Sequence, residues 1–143
     1  MDGQTNLAAT SKITSSGVKN NDQAKYGTQL LFDGKGETAW QTSVTDTVCF
    51  LDFDFGKSKT VGSLSLSEKG QTEGWNHLLQ LRVNVRNSSK EKWTTILEQN
   101  SVLGVPPILS FKPIWTKFMR IEIRKPPSFV LQLAELRIFS PIE

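Results

Sequence analysis

The chain has 143 residues, which lies inside the usual size range of a single domain. Its single cysteine, Cys49, excludes an intrachain disulfide and any metal site built on several thiolates. Together, 17 Lys and Arg residues against 14 Asp and Glu residues give a net charge of +3. The basic residues are scattered and form no dense stripe, which argues against nucleic-acid binding.

Neither a membrane helix nor a signal peptide is recognisable in the chain. No apolar run approaches the about 20 residues that a membrane helix needs, so no transmembrane segment is expected. The first six residues lack the cationic start and the apolar centre of a signal peptide. We expect residues 1–5 to be a disordered lead or a boundary within a longer protein, and residues 1–143 to form one module.

The first 47 residues are polar and rich in Ser, Thr, Asn and Gly, with few apolar positions such as Ile13, Tyr26 and Trp40. A loop region of this length in a compact domain usually carries function or needs a local organiser. A bound cation would serve as such an organiser.

From residue 49 onward, the chain alternates apolar and polar residues with the period of two that is typical of half-buried strands. The alternating segments are residues 49–55, 79–86, 119–124 and 134–138, with shorter candidates at 64–67, 93–97 and 108–111. Turn signals separate them at Gly56-Lys57-Ser58 and at residues 87–90, 105–107 and 125–127. The sequence therefore predicts an all-β jelly-roll β-sandwich of about eight antiparallel strands.

One motif is more specific than the alternation. The run Phe32-Asp33-Gly34-x-x-x-Thr38-x-Trp40 resembles the signature DG-x-x-x-T-x-W of the coagulation factor V/VIII type C, or discoidin-like, fold. Family 32 carbohydrate-binding modules belong to that group. Four further segments resemble the group's motifs in the same order, and together they span residues 6 to 140. These segments are residues 51–57, 88–93, 117–123 and 133–139.

A narrower resemblance concerns the run Ser67-Glu68-Lys69-Gly70-Gln71 and residues 81–83 and 108–111. These segments are similar to the C-terminal modules of bacterial family 29 α-L-fucosidases. The resemblance implies a carbohydrate-binding accessory module that is covalently attached to the catalytic domain of a secreted, periplasmic or cell-surface glycoside hydrolase. Its partner would be a glycan.

The resemblance also implies a structural calcium site. Calcium binds six to eight hard oxygen ligands, which an Asp-Gly turn, a threonine and backbone carbonyls can supply. The implied ligands are the carbonyls of Leu30, Lys35, Thr38 and Ala134, the side chains of Asp33 and Thr38, and the carboxylate of Glu135. The alternative is an ordinary Asp-Gly turn beside a solvated glutamate.

Sugar recognition needs an aromatic ring for the apolar face of a pyranose. Trp40 and Trp93 stand at family positions that pack within the fold, and Trp115 is expected to pack at a strand edge. Trp75 and Phe129 lie in polar loops and are the candidates for ring stacking, with structural packing as the alternative for each.

The polar candidates for sugar binding come from the loops expected at the same end of the fold. They are Gln41, Glu68, Lys69 and Arg124. Gln41 stands where several galactose-binding relatives carry His, which argues against galactose as the ligand.

Catalysis by this chain alone is not expected. His77 is the only histidine, and Cys49 lies in a strand pattern typical of a buried, inert thiol. Asp52 and Asp54 share one strand face, where solvated carboxylates are common. Two other functions stay open: a structural accessory domain without a working sugar site, and a discoidin domain that binds protein or lipid.

Overall fold

The computed structural model describes residues 6–33, 35, 38–43, 45–68, 80–100, 108–125 and 130–141. The strands are β1 (Lys12–Ser15), β2 (Trp40–Gln41), β3 (Val48–Glu68), β4 (Gln80–Arg86), β5 (Thr94–Asn100), β6 (Ile108–Arg124) and β7 (Gln132–Phe139). Between β1 and β2 lie the short helix α1 (Gln23–Tyr26) and two 3-10 helices, Lys19–Asn21 and Thr28–Phe32. Within the described residues, no helix is long and apolar enough to cross a membrane.

The described strands form one antiparallel sheet of seven, which confirms the predicted all-β class with one strand fewer than the eight expected. Their order is β2-β7-β3-β6-β4-β5, and β1 joins β3 at its other side. The first part of β3 lies between β1 and β6, whereas its second part pairs with β6 and β7. The two longest strands, β3 and β6, therefore belong to both halves of the sandwich.

The predicted alternation is confirmed in the described part of the four longer segments, except that Asn84, at a polar position, is also buried. Leu79, the first residue of the second segment, lies outside the described residues. Residues at the apolar positions point into one hydrophobic cluster, to which both halves contribute. Burying each large aliphatic or aromatic side chain contributes about 1.5–3 kcal/mol relative to leaving it in water. Members with at most 1% exposure include Cys49, Leu51, Phe53, Leu81, Val83, Met119, Ile121, Ile123, Leu136 and Ile138.

The predicted turn at Gly56-Lys57-Ser58 is wrong, because β3 continues through it. The pairing of β3 with β6 shifts register between Asp54 and Lys59. Gly56 adopts a φ of +83°, and its N–H donates a hydrogen bond of 2.9 Å to Asp54 Oδ1. Four residues of β3, 55–58, lie opposite one residue of β6, Lys117, so the chain passes this point as a large bulge before pairing resumes. Residues 64–67 and 108–111, predicted as separate strands, therefore belong to β3 and β6.

The polar N-terminal region is organised by hydrogen bonds to the sheet. β1, which the sequence pattern did not indicate, pairs with β3 from Lys12 opposite Asp54 to Ser15 opposite Leu51. The Asn6 side chain bridges two residues of β7: Nδ2 donates to the Leu136 carbonyl at 3.0 Å, and Oδ1 accepts from the Ile138 N–H at 2.9 Å. Hydrogen bonds to β3 and β7 therefore account for much of the order in this N-terminal region.

Replacing Gly56 by Ala should lower the free energy of unfolding by about 1–2 kcal/mol, because a Cβ is strained in the left-handed region. The expected loss is conformational, since no atom lies within 4 Å of the position that a Cβ would occupy. Urea denaturation measures the change. Lys57→Ala, at the exposed neighbouring position, is the matched control. Equal midpoints for Gly56→Ala and the unchanged protein would contradict the role assigned to the bulge.

Candidate functional site

Several strand ends meet at one end of the sheet, which we call the loop rim. Arg124 pairs with both Val48 and Gln80, and Gln80 also pairs with Asn100. A second group of strand ends pairs Gln41 with Gln132 and Glu68 with Leu133. The loop rim consists of Gln41, Val48, Glu68, Gln80, Asn100, Arg124 and Gln132.

Thr42 joins the two groups of strand ends. Its hydroxyl accepts a hydrogen bond of 3.0 Å from the Leu131 N–H, and its side chain lies near enough to Cys49 to lower the pKa of that thiol. Because Cys49 directly follows Val48, both groups lie at the same end of the fold. The segments 69–79 and 126–129 connect residues at or next to this rim, and the segment 101–107 follows Asn100 at the rim.

Three of the six sugar-site candidates have backbone positions at the loop rim. Gln41 is largely buried, with 9% of its surface exposed. Arg124 is exposed, and its Nε lies 3.8 Å from Glu122 Oε2. Glu68 is the last residue of β3. The other three candidates, Lys69, Trp75 and Phe129, lie outside the described residues.

A buried lysine at the base of the rim was missed. Lys125 is only 5% exposed, and its Nζ makes no hydrogen bond in the described part of the chain. Its backbone N–H donates to the Thr47 carbonyl at 2.9 Å. A signal was present in the sequence, because Lys125 continues the inward-facing positions Met119, Ile121 and Ile123. The turn signal of residues 125–127 instead predicts that Lys125 begins a turn.

The loop predicted to bind calcium brings together three groups whose oxygens could be metal ligands: the Asp33 carboxylate, the Thr38 hydroxyl and the Lys35 carbonyl. Asp33 Oδ1 accepts the Lys35 N–H at 2.9 Å, and the Thr38 hydroxyl donates to Asp33 Oδ2. Thr38 Oγ1 also lies 3.5 Å from the Lys35 carbonyl oxygen. The hydrogen bond from Thr38 and then the backbone N–H of Lys35 lower the pKa of the exposed Asp33 carboxyl. The group is therefore an anion at neutral pH.

The two predicted ligands on β7 lie beside this loop. Ser67 pairs with Glu135 and Glu68 with Leu133, so Ala134 is an extra residue at a bulge and has no partner on β3. Glu135 is partly exposed and shares a cavity of about 130 Å³ with Leu31 and Phe32. Leu30, the remaining predicted ligand, lies in the 3-10 helix that ends just before Asp33.

These donors fit a calcium ion in kind, because they are hard oxygens from carboxylates, a hydroxyl and backbone carbonyls. The described residues contain no group of three or more His, Cys, Asp and Glu side chains that could hold a metal. A site here would therefore depend mainly on carbonyl and hydroxyl oxygens. In the described geometry, Glu135 Oε2 lies 3.4 Å from Arg137 Nη2.

The outer face of the sheet carries a stack of arginine and aromatic side chains. The Arg86 guanidinium lies 4.1 Å from the centre of the Trp93 ring, and that of Arg120 lies 5.0 Å from it. Arg120 also lies 4.2 Å from the centre of the Phe50 ring. It donates two hydrogen bonds, of 2.7 and 2.8 Å, to the carboxylate of Asp52, which raises the pKa of Arg120.

Three expectations about these side chains need correction. Trp93 is half-buried on the outer face and is not part of the core, whereas Trp40 is fully buried as predicted. Trp115 is 65% exposed and does not pack at a strand edge. Asp52 is paired with an arginine and is not a freely solvated strand charge. The surroundings of Trp93 and Asp52 come from arginines on β4 and β6.

The curled antiparallel sheet, with its core between two halves and its loop rim, defines a discoidin-like β-sandwich. The family model of the F5/8 type C domain matches residues 11–136, and the chain belongs to this family. The family resemblance inferred from the sequence motifs is thereby confirmed. A search of curated proteins found no match.

Solved structures share the fold at low sequence identity. A GH29 fucosidase of Ruminococcus gnavus in complex with fucose matches with a TM-score of 0.81 and 20% identity, over 97% of this chain and 27% of that chain. Chitosan-binding module 1 of a chitosanase/glucanase from Paenibacillus sp. IK-5 matches with a TM-score of 0.74 and 21% identity, over 95% of this chain and 99% of that chain. CpGH89CBM32-5 from Clostridium perfringens, in complex with GalNAc-beta-1,3-galactose, matches with a TM-score of 0.75 and 15% identity. The match covers 96% of this chain and 100% of that chain.

The Cys49 thiol should be unreactive in the folded protein. Burial raises its pKa to about 11, more than the opposing charge of Lys125 lowers it, so the thiol stays protonated at pH 8. A chromogenic disulfide reagent should react slowly with the native protein and rapidly in concentrated urea. Rapid reaction of the native protein at pH 8 would contradict this assignment.

Proposed function

We propose that this chain is a non-catalytic carbohydrate-binding accessory module that is covalently attached to a secreted glycoside hydrolase, an α-L-fucosidase. Membership of the F5/8 type C family supports the proposal. Proteins with a similar fold also support it. They include a fucosidase, in a structure with fucose, of which 27% is matched, a chitosan-binding module and a module in complex with a disaccharide. The chain spans 27% of the length of that fucosidase.

The observation that carries the proposal is the convergence at the loop rim. Gln41, Glu68 and Arg124 are distant in sequence, yet their strand ends meet at one end of the sheet. The aromatic candidates Trp75 and Phe129 belong to segments that start and finish there. An amide donates and accepts hydrogen bonds, a carboxylate accepts them and a guanidinium donates them, so together they can bind sugar hydroxyls. An aromatic ring covers the apolar face of a pyranose.

Such a module works by targeting. Weak binding to a glycan holds the attached catalytic domain near its substrate and raises the effective concentration of the two partners. The affinity of the module alone is expected to be micromolar to millimolar, about −8 to −4 kcal/mol. Several modules or repeated contacts would strengthen it.

The chemistry of the described residues also favours binding over catalysis. Cys49 is buried, and the raised pKa of its thiol makes it a poor nucleophile at neutral pH. Asp52 is held by two hydrogen bonds from Arg120, and Asp54 Oδ1 accepts the Gly56 N–H. Both carboxylates therefore already accept hydrogen bonds from groups of the protein.

We further propose that a structural calcium ion binds beside Asp33. The carboxylate of Asp33, the hydroxyl of Thr38 and the carbonyls of Leu30, Lys35 and Thr38 would hold it from the loop. Ala134 and Glu135 would hold it from β7. A bound cation would supply positive charge between the carboxylates of Asp33 and Glu135, and would tie the loop to the sheet.

Trp75→Ala removes the indole and should weaken the binding of every glycan by a similar factor, because ring stacking gives affinity with little discrimination. Glu68→Ala or Arg124→Ala should instead change the preference among glycans. A glycan array with the unchanged chain selects the ligand, and calorimetric titration of the variants measures each affinity.

Trp115→Ala is the matched control for that experiment, since Trp115 is exposed and pairs with Thr60, five residues from the Ser65–Ile108 pair near the rim. It should bind as the unchanged protein does. If the variants at Trp75, Glu68 and Arg124 all bind glycan with unchanged affinity, the sugar site does not lie at the rim. Binding to phospholipid vesicles with no glycan on the array would favour the lipid-binding alternative.

Chelation of calcium should lower the melting temperature, because an ion that binds only the folded state stabilises it by about 2.7 kcal/mol at 100 times its dissociation constant. Asp33→Ala should remove the response to the chelator. Asp22→Ala is the control: its carboxylate caps α1 by accepting the Lys25 N–H, so its loss destabilises the protein but should preserve the response. Melting curves that are identical with and without chelator would contradict the calcium site.

A further inference from the structure

A pocket of about 260 Å³ lies on the outer face of the sheet, far from the loop rim. We call it the face pocket, and its lining residues include Lys12, Thr14, Asp52, Asp54, Arg86, Trp93 and Phe118. Its volume is slightly below the about 300–1,000 Å³ typical of pockets for drug-sized ligands, so it suits one ring.

The strand register separates the face pocket from the loop rim. Arg86 pairs with Phe118, and Gln80 pairs with Arg124 at the rim. Arg86 and Phe118 therefore lie six positions along their strands from the rim, about 20 Å, and Asp52 lies four positions along β3 from Val48, about 13 Å. A single monosaccharide cannot contact both places, so a ligand in the face pocket would occupy a site of its own.

The aromatic wall of the pocket is held in place by its neighbours. Trp93 and Phe118 are both half-buried, so each ring retains an accessible part. Arg86 lies between them, 4.1 Å from the centre of the Trp93 ring and 6.0 Å from that of Phe118. Side chains that are fixed before a ligand arrives lose little conformational entropy on binding.

The polar groups of the pocket include both donors and acceptors. The side chains of Lys12 and Thr14 are exposed and make no hydrogen bond in the described part of the chain. Asp54 Oδ1 accepts one bond from Gly56, which leaves its other oxygen free among the described residues. The Asp52 carboxylate is held rigidly by Arg120 and keeps acceptor capacity toward the pocket.

The mixture of charges decides the class of ligand. An anion would lie against the carboxylates of Asp52 and Asp54, and a cation would lie against Lys12 and Arg86. A neutral polyol is complementary to both signs, because each hydroxyl donates one hydrogen bond and accepts others. A ring with an apolar face would also use Trp93 and Phe118.

We propose that the face pocket binds one neutral pyranose residue of a glycan, as a second sugar site besides the loop rim. The proposal rests on the carbohydrate-binding function proposed above and extends it. Two sites on one module would let it hold two parts of a branched or long glycan, or two neighbouring chains. Simultaneous occupation would give more avidity than either site alone.

Titration by NMR separates the two sites. The chain has four tryptophans, and Trp93→Phe and Trp75→Phe identify the indole N–H signals of the two that matter. The probes are the neutral sugars fucose, galactose and N-acetylgalactosamine. At least one of them should shift the Trp93 signal in a saturable manner.

Thr14→Tyr should fill the face pocket from its exposed position on β1 and weaken that shift about tenfold or more, through steric exclusion of the sugar. The response of the Trp75 signal should persist. Thr60→Tyr makes the same change at an exposed position of β3 outside the pocket, and it should leave both responses unchanged. Melting curves of the two variants verify that each is folded.

The outcomes distinguish this inference from the proposed function. If sugars shift the Trp75 signal and leave Trp93 unmoved, the face pocket is not a sugar site, whereas the carbohydrate-binding function stands. A Trp93 shift that Thr14→Tyr and Thr60→Tyr affect equally also overturns the face pocket. If no tryptophan signal responds to any probe and the array shows no glycan, the proposed function itself fails, and this inference with it.

Discussion

The pairing of β3 with β6 is the constraint on which the rest of the structure depends. Every other strand joins the sheet through one of these two, either directly or through one intervening strand. Their register places Cys49, Leu51 and Phe53 opposite Ile123, Ile121 and Met119, so that buried residues face the same core. A slip of one residue would turn all of these side chains toward solvent.

The same pairing organises the outer face. Asp52 lies directly opposite Arg120, and their two hydrogen bonds form the polar counterpart of the apolar pairs beneath. Each side chain of this pair is 26% exposed, so solvent screening leaves it a modest share of the stability. Its greater effect is geometric, because a bidentate contact fixes Arg120 between Phe50 and Trp93. The strand register therefore fixes Arg120 beside Trp93, which forms one wall of the face pocket.

Local sequence signals have a clear limit at Gly56. Asp-x-Gly is typical of turns because the aspartate accepts the N–H two residues later and glycine adopts positive φ, and both features are present here. A bulge within a strand has the same local requirements. Only the continued pairing from Lys59 with Thr116 onward distinguishes the two, and that depends on residues far along the chain.

The sequence by itself determined which strand residues face inward, because a period of two is a local property, and its motifs determined the family. It also placed Asp33, Lys35 and Thr38 in one short loop. The tertiary structure alone decided that Gln41, Glu68 and Arg124 share a rim and that Trp93 lies against two arginines. Each of these depends on the register between strands that are distant in sequence, which follows from packing of the whole core.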